Sequence, residues 1–381
     1  MSPNIMLNIE QLSFWERKEY FEQIDFLVIG AGIVGCSTAF HLKKRFPNAK
    51  IIVVERGVLP CGASTKNAGF ASFGGPVELL DDLKNTDNTT VWDTVQARYE
   101  GLIQLRELIG DKAMDFQQNG GWDLIIPSKS KVAAEVQDQL TEMNLEMKRI
   151  TGNSEVFKED VDSAGKFGFQ NVETSFHIAI EGQIDTGKMM KRYHQLVTEA
   201  GISILYGIEV KSIDVIAGIA ETNIGTIQAQ KMMVTVNGFA SKLVENEDVL
   251  PARAQVLVTS PIENLPFKGT FHFDSGFYYF RNFGNRVLFG GARNLDVEGE
   301  TTFEMVTSDP IQNQLKTLLS TMILPNKEFK IDYQWSGIMG VGKSKFPLIK
   351  QVSNRVFLGV RLGGIGVALG TNVGKKLAEM V

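Results

Sequence analysis

Three glycines in the first part of the chain have the spacing that binds the pyrophosphate of a dinucleotide. They stand as G-x-G-x-x-G at positions 30, 32 and 35, directly after the apolar run 26–29. The first glycine allows a tight turn, the second lets the backbone approach the phosphates, and the third lets the next helix pack on the strand. The helix N-terminus then offers free N–H groups to the anion. The residues predicted to hold the pyrophosphate are Gly30, Ala31, Gly32, Ile33, Val34 and Gly35.

An acid stands where the ribose hydroxyls of such a cofactor would be bound. A second apolar run, 51–54, ends in Glu55, which lies twenty residues after Gly35. A carboxylate at this place accepts hydrogen bonds from a ribose diol, and Arg56 follows it directly. Strand, glycine turn, helix and acid together predict a dinucleotide-binding unit, which up to this point fits both NAD and FAD.

Two further segments favour FAD. The loop after Glu55 is rich in small residues, so its backbone and the hydroxyls of Ser64 and Thr65 can lie along a diphosphate and ribityl chain; the alternative is a flexible surface loop. Residues 355–381 predict a strand, a second glycine turn and a helix. The positive end of that helix suits the N1/C2=O edge of a flavin, which gains negative charge on reduction. The cofactor-binding candidates in these segments are Gly62, Ala63, Ser64, Thr65, Asn67, Ala68, Gly69, Arg361, Gly363, Gly364, Ile365, Gly366 and Val367.

Composition argues against several other classes of protein. The 381 residues carry a net charge of −5, which gives no reason to expect a nucleic acid or an anionic membrane as partner. Two cysteines, Cys36 and Cys61, are too few for a disulfide framework and lack metal-type spacing. No apolar run approaches the length of about 20 residues that crosses a bilayer, and the first residues do not read as a signal peptide. We therefore expect a cytoplasmic protein without a metal, of undetermined oligomeric state.

Taken together, the motifs resemble those of the FAD-dependent oxidoreductases of the D-amino-acid oxidase, glycine oxidase and sarcosine oxidase superfamily. The resemblance runs from about residue 25 to the last residue. It rests on DFLVIGAGIVGCSTAFHL, VVERG, GASTKNAGFA and GVRLGGIGVALG, in this order. It implies an α/β fold (α+β overall) with a Rossmann-like FAD-binding domain of the glutathione-reductase type and a second, mainly antiparallel substrate domain. Val210 would contribute backbone on the adenine side, and Asn237 and Gly238 would lie where the chain re-enters the FAD domain.

The resemblance also implies how the chain is divided. The FAD domain would be discontinuous, with the substrate domain formed by two inserts. The predicted segments are 23–90, 160–245 and 330–381 for the FAD domain, 91–159 and 246–329 for the substrate domain, and 1–22 for an amino-terminal extension. No cysteine stands in 333–349 and no histidine in the flavin loops, so we expect FAD to be bound non-covalently.

The chemistry that the resemblance implies is oxidation of the C–N bond of an amine or amino acid by hydride transfer to flavin N5. The protein supplies orientation and charge, which here means a cation for a substrate carboxylate and an apolar wall against water. Only one of Tyr278 and Tyr279 can face the flavin, because neighbouring strand residues point to opposite faces. The catalytic candidates are Tyr279, Arg281, Arg293 and Lys343; the alternative for each arginine is a solvated charge at a strand edge.

The sequence departs from the family pattern at Met339, where amino-acid oxidases carry the arginine that grips the substrate carboxylate. The cations of that loop are Lys343 and Lys345 instead. Lys66 either faces solvent or lies near the flavin, and His272 is a weaker catalytic candidate. These departures leave two alternatives open: an FAD-dependent 2-hydroxy-acid dehydrogenase, and a flavin-binding protein without turnover.

Overall fold

The computed structural model describes residues 8–381, so residues 1–7 of the predicted amino-terminal extension lie outside the described residues. Two of the helices, α1 and α9, continue into a π-helical turn, at Arg17–Phe21 and Leu319–Ile323 respectively. Within the described range the helices are α1 (Phe14–Glu16), α2 (Ile33–Arg45), α3 (Ala63–Lys66), α4 (Pro76–Asn85), α5 (Asn88–Ile109), α6 (Ser130–Thr151), α7 (Ser163–Phe167), α8 (Thr186–Glu199), α9 (Asp309–Leu318) and α10 (Gly366–Glu379).

The strands form two large sheets and one small one. In chain order they are β1 (Ile24–Ile29), β2 (Ile51–Glu55), β3 (Phe70–Ala71), β4 (Gly121–Ile125), β5 (Phe157–Glu159), β6 (Thr174–Ile178), β7 (Gly182–Gln183), β8 (Ser203–Tyr206), β9 (Val210–Asp214), β10 (Ile219–Thr222), β11 (Gly225–Val234), β12 (Leu250–Thr259), β13 (Thr270–Phe273), β14 (Tyr278–Phe283), β15 (Arg286–Gly291), β16 (Ile331–Val341), β17 (Leu348–Gln351) and β18 (Val356–Val360).

The first sheet is the predicted Rossmann-like unit. Its order is β17-β18-β11-β1-β2-β8, with β10 beside β11 and β9 beside β10, and the five strands from β18 to β8 are parallel. The apolar runs of β1 and β2 are buried because helices cover the sheet, as expected for parallel strands. Helix α10 lies close against α2, since a β-carbon at Gly370 would be only 2.5 Å from the side chain of Ile33.

The second sheet positions the side chains of interest. Its order is β16-β12-β15-β14-β13-β4-β6-β5, and every pairing is antiparallel except that of β13 with β4, which confirms the predicted mainly antiparallel sheet. One face buries a phenylalanine-rich core beneath α9. On the other face, the register places Asp123, His272, Tyr279 and Gly290 side by side on neighbouring strands.

The domain boundaries remain a prediction. Two strands that these boundaries assign to the FAD domain, β6 and β16, are hydrogen-bonded within the antiparallel sheet. No helix between residues 8 and 381 combines the length and the apolar composition needed to cross a membrane.

Candidate active site

A crevice with a cavity volume of about 470 Å³ lies between the carboxyl ends of the parallel strands and one face of the antiparallel sheet. Most of the predicted cofactor-binding residues line it. They are Gly30, Gly32, Ile33, Val34, Glu55, Arg56, Gly62, Ala63, Ser64, Asn67, Ala68, Val210, Asn237, Gly363, Gly364, Ile365, Gly366 and Val367.

Two long helices begin at this crevice with free N–H groups. Helix α2 starts after Gly32 and α10 starts after Ile365, and neither of these two residues caps its own helix with a side chain. Such uncapped starts attract negative charge. Ser64 Oγ accepts a hydrogen bond from the N–H of Ile33 at 3.0 Å, which leaves its own proton free to donate. A β-carbon at Gly363 would meet no atom within 4 Å, so this turn leaves open space in front of α10.

The carboxylate of Glu55 is held at the end of β2 by two backbone groups. Its Oε2 accepts from the N–H of Ala31 and its Oε1 from the N–H of Gly57, each at 3.1 Å. The side chain is buried yet lines the crevice. A carboxylate fixed in this way keeps lone pairs for ribose hydroxyls, so the residues present at this wall fit a dinucleotide such as FAD.

The remaining cofactor-binding candidates lie behind the crevice wall. The N–H of Ala31 is bonded to Glu55, as described above, and the hydroxyl of Thr65 donates to the carbonyl oxygen of Pro60 at 2.7 Å. Arg361 pairs with Asp248 at 2.6 Å. The candidates that do not line the crevice are Ala31, Gly35, Thr65, Gly69, Gly238 and Arg361. The groups of Ala31, Thr65 and Arg361 described here are therefore bonded within the protein.

Among the predicted catalytic residues, Tyr279 and Arg293 line the crevice. Tyr278 points to the other face of the sheet, where it stacks on Phe273 at 4.7 Å between ring centroids. This agrees with the expectation that only one of the two tyrosines faces the site. Burial raises the pKa of Tyr279 to about 12, so its phenol stays protonated and remains a hydrogen-bond donor near neutral pH.

Arg281 shares the face of Tyr279 but does not line the crevice. It is 4% exposed, and its guanidinium donates to the carbonyl oxygens of Ala68, Ile184 and Asn282. Burial lowers its pKa to about 10, which still leaves it charged at neutral pH. Because its donors are bonded to backbone, Arg281 holds the loop around Ala68 against the sheet. It is therefore not part of the substrate site that we infer.

Lys343 is also absent from the crevice lining. Its side chain is exposed, and its backbone N–H donates to the carboxylate of Asp248 at 3.0 Å. Lys345 forms an ion pair with Asp82 at 2.5 Å. Neither lysine therefore replaces the arginine that the family pattern has at Met339, which itself lines the crevice.

Arg293 keeps donors for a ligand. Its Nη2 makes one long hydrogen bond to Thr301 at 3.4 Å, and its buried Nε has no partner within residues 8–381. Burial lowers its pKa, against the opposing charge of Glu300. Lys66 lines the crevice as well, with its stem packed along Gly337.

A buried carboxylate, Glu181, supports the wall beneath Tyr279. It is fully buried and accepts hydrogen bonds from Ser72 Oγ at 3.0 Å, Thr270 Oγ1 at 2.6 Å and His272 Nε2 at 2.8 Å. His272 in turn lines the crevice. Burial alone would lower the pKa of His272, but the charge and hydrogen bond of Glu181 outweigh it and raise that pKa to about 9. The imidazole is therefore a cation at neutral pH.

Asp123 lies beside His272 on β4 and also lines the crevice. Burial raises its pKa to about 7, although the charge of His272 and a hydrogen bond from the N–H of Val77 oppose the rise. The sequence analysis missed both Asp123 and Glu181. An acid inside the apolar strand GGWDLIIP is the signal that could have drawn attention to Asp123. Among residues 8–381, no group of His, Cys, Asp and Glu side chains could hold a metal ion.

A dinucleotide crevice that continues along a wall of Tyr, His, Asp and Arg side chains defines a cofactor-dependent enzyme. A model of the family described as FAD dependent oxidoreductase matches residues 25–380. The chain therefore belongs to this family, and it is an FAD-dependent oxidoreductase, as the sequence motifs predicted. Non-covalent attachment of FAD stays a prediction.

Named relatives and solved structures agree with this placement. The chain is 23% identical to gamma-glutamylputrescine oxidoreductase of Escherichia coli over 384 residues, which cover 94% of this chain and 83% of the relative. It is 21% identical to glycine oxidase of Geobacillus kaustophilus over 374 residues, which cover 94% and 92%. The crystal structure of L-proline dehydrogenase from P. horikoshii matches with a TM-score of 0.73 at 17% identity and covers 94% of this chain and 93% of that chain, which shows a shared fold.

Proposed function

We propose that the protein oxidises the C–N bond of an amine or amino acid, with FAD held by the crevice residues named above. The observation that carries the proposal is Arg293, which lines the crevice, forms no ion pair within residues 8–381 and keeps a buried donor without a partner. A planar guanidinium of this kind suits a substrate carboxylate. The names of the two relatives, gamma-glutamylputrescine oxidoreductase and glycine oxidase, support an amine or amino-acid substrate.

Each wall residue has a role in this proposal. When bound, FAD supplies the hydride acceptor. Arg293 binds the carboxylate, and the protonated phenol of Tyr279 donates a hydrogen bond to the substrate. Phe70, whose ring lies 5.6 Å from that of Tyr279, and Met339 form an apolar wall that excludes water. Arg281 and Lys343 have no part in it. A cytoplasmic location, a small-molecule substrate and the absence of a nucleic-acid partner remain predictions that accompany this proposal.

Anaerobic reduction of the flavin tests the proposal. The FAD-loaded protein would be mixed with matched pairs that differ only in the reacting group: glycine with glycolate, and alanine with lactate. A set of simple primary and secondary amines would complete the panel. We expect the visible flavin absorbance to bleach with an amine or amino acid and to persist with its hydroxy analogue.

The same panel separates the alternatives. Bleaching by the hydroxy acids alone would overturn C–N oxidation in favour of a 2-hydroxy-acid dehydrogenase. A flavin that stays oxidised with every compound, while dithionite still reduces it, would support a flavin-binding protein without turnover.

A further inference from the structure

Two buried carboxylates have no basic partner among residues 8–381, and both line the crevice. Among residues 8–381, the buried acids are Glu55, Asp123, Glu181 and Glu300. Glu181 and Glu300 pair with a histidine and an arginine, each at 2.8 Å, whereas Glu55 and Asp123 form no ion pair. A carboxylate removed from water is costly unless it is paired or hydrogen-bonded. At Glu55 the ribose of the dinucleotide provides the missing donors, which raises the question of what provides them at Asp123.

Of the two carboxylate oxygens of Asp123, only one caps helix α4. Its Oδ2 accepts from the N–H of Val77 at 3.0 Å, at the start of that helix. Its Oδ1 makes no hydrogen bond with any part of the chain between residues 8 and 381. Asp123 is 6% exposed and lines the crevice, so a ligand would reach this oxygen from the cavity. A β-carbon at Gly75 would lie within 2.6 Å of both oxygens, so a glycine there leaves the carboxylate its space.

The charged neighbours of Asp123 are already bonded to other residues. His272, on the adjacent strand, donates its Nε2 hydrogen bond to Glu181 at 2.8 Å. Glu78, also in the crevice lining, is bonded to Arg98 at 3.0 Å. Each of these pairs is neutral in itself, so within residues 8–381 neither provides Asp123 with an ion-pair partner of its own.

We propose that Asp123 binds the ammonium group of the substrate. The inference rests on the proposed function, because it takes the substrate to be an amine, and it names the residue that recognises the nitrogen. An ammonium group supplies both the balancing charge and a donor for Oδ1. Because neighbouring strands lie about 4.8 Å apart, Asp123 lies two strands away from Tyr279 on the same face. The ammonium group is either that of a second amino group farther along the substrate or that of the reacting amine, which must then pass its proton to the carboxylate of Asp123 before a hydride can leave the adjacent carbon.

A pair of probes with the same shape and opposite charge tests the binding without turnover. Benzamidinium and benzoate would each be titrated into the FAD-loaded protein, and binding would be followed by the change in flavin absorbance. In Asp123→Asn, whose amide oxygen can still cap α4, we expect benzamidinium to bind about 10- to 100-fold more weakly. Benzoate binding should not weaken. Equal benzamidinium affinity in the two proteins, or no benzamidinium binding to the wild type, would overturn the proposal.

Control variants show whether weaker benzamidinium binding comes from the lost charge of Asp123 or from a loss of stability. Asp87 caps α5 by accepting from the N–H of Thr90 at 2.9 Å and does not line the crevice, so Asp87→Asn loses a capping carboxylate elsewhere and should leave benzamidinium binding unchanged. Asp123→Ser offers a second capping side chain should the asparagine variant lose its flavin. The same weakening in Asp87→Asn as in Asp123→Asn would assign the effect to helix stability and refute a binding role.

Three four-carbon amines distinguish the two sources of the ammonium group. They are n-butylamine, 1,4-diaminobutane and 4-aminobutyrate, which share one amino group and differ in charge at the far end. If Asp123 binds the second amino group, the diamine should reduce the flavin fastest, and Asp123→Asn should remove that advantage. If it binds the reacting amine, the variant should slow every amine that the wild type oxidises. Unchanged rates of flavin reduction in Asp123→Asn would contradict both forms of the proposal. A wild-type flavin that no amine reduces would count against the proposed function, and the probe titration would then decide whether Asp123 binds a cation.

Discussion

The two walls of the crevice are built by different physical means. The wall from the parallel sheet offers mainly backbone, with free N–H groups at the starts of α2 and α10. The wall from the antiparallel sheet offers side chains, namely Tyr279, His272, Asp123 and Arg293. A backbone site depends on a few neighbouring residues taking one local conformation. A site of charged side chains depends on partners that are distant in the chain, and the two walls should therefore respond differently to substitution.

The wall from the parallel sheet is called the backbone wall below, and the wall from the antiparallel sheet is called the side-chain wall. The largest effect is expected for Gly35→Ala in the backbone wall. A β-carbon there would lie 1.8 Å from the carbonyl oxygen of Gly30, so α2 would have to move away from β1 and the pyrophosphate turn would open. Because overpacking of this kind also destabilises the fold, we expect flavin absorbance per protein after desalting to fall more than about tenfold. Gly165→Ala is the control, since its β-carbon would meet no atom within 4 Å. An equal loss of flavin in the control would contradict the local explanation.

The side-chain wall should lose substrate affinity and keep its flavin. For an amine that carries a carboxylate, we expect Arg293→Met to raise KM about 10- to 100-fold, as a lost charge-assisted hydrogen bond does. Steady-state kinetics and flavin content would be measured together. Arg286→Met is the matched control from the same hairpin, because Arg286 forms its ion pair with Asp332 and does not line the crevice. A KM that rises equally in both variants would remove Arg293 from the substrate site.

The contrast between the walls also explains what the sequence could predict. The glycine turn, Glu55 and the second glycine turn were predicted because each is specified within a few residues of chain, and the structure places most of these residues on the crevice. The same reasoning correctly put Arg281 on the face of Tyr279, since strand alternation is local. It could not predict that the guanidinium of Arg281 would be bonded to the carbonyl oxygens of Ala68 and Ile184, which are distant in the chain.

The hydrogen bonds around Glu181 could not be predicted for the same reason, because they join segments that are distant in the chain. Glu181 stands in a turn, and its three donors come from Ser72, Thr270 and His272, at separations of 109, 89 and 91 residues along the chain. No periodicity links such positions. Only the packed sheet brings them together, and it also places Asp123 opposite His272.

The side-chain wall should also make stability depend on pH. The pKa of His272 is raised from 6.5 to about 9, so the folded protein holds this proton more tightly than the unfolded chain. This contribution is fully present below pH 6.5 and is lost as the pH rises through about 9. We expect the free energy of unfolding of the FAD-loaded protein to fall by about 3 kcal/mol across that window, measured by urea denaturation.

Substitution of either histidine of the antiparallel sheet checks the assignment. His272→Gln should flatten the fall in the free energy of unfolding between neutral and alkaline pH. His177→Gln should retain it, because burial lowers the pKa of His177 and so moves its titration away from alkaline pH. If the fall persists in His272→Gln, another group is responsible and the imidazolium at this wall is ruled out.

The smallest effect is expected where the backbone wall uses a single hydroxyl. Ser64 Oγ accepts from the N–H of Ile33 and lines the crevice, so its proton is free for a phosphate, whereas the hydroxyl of Thr65 already donates to the carbonyl oxygen of Pro60. We expect Ser64→Ala to raise the FAD dissociation constant about 5- to 10-fold, in line with one hydrogen bond of about 1 kcal/mol. Thr65→Ala should change it less than about twofold, because this hydroxyl already donates within the protein. Titration of the two apoproteins with FAD would measure both values, and a larger effect for Thr65→Ala would mean that the loop presents its other side to the phosphates.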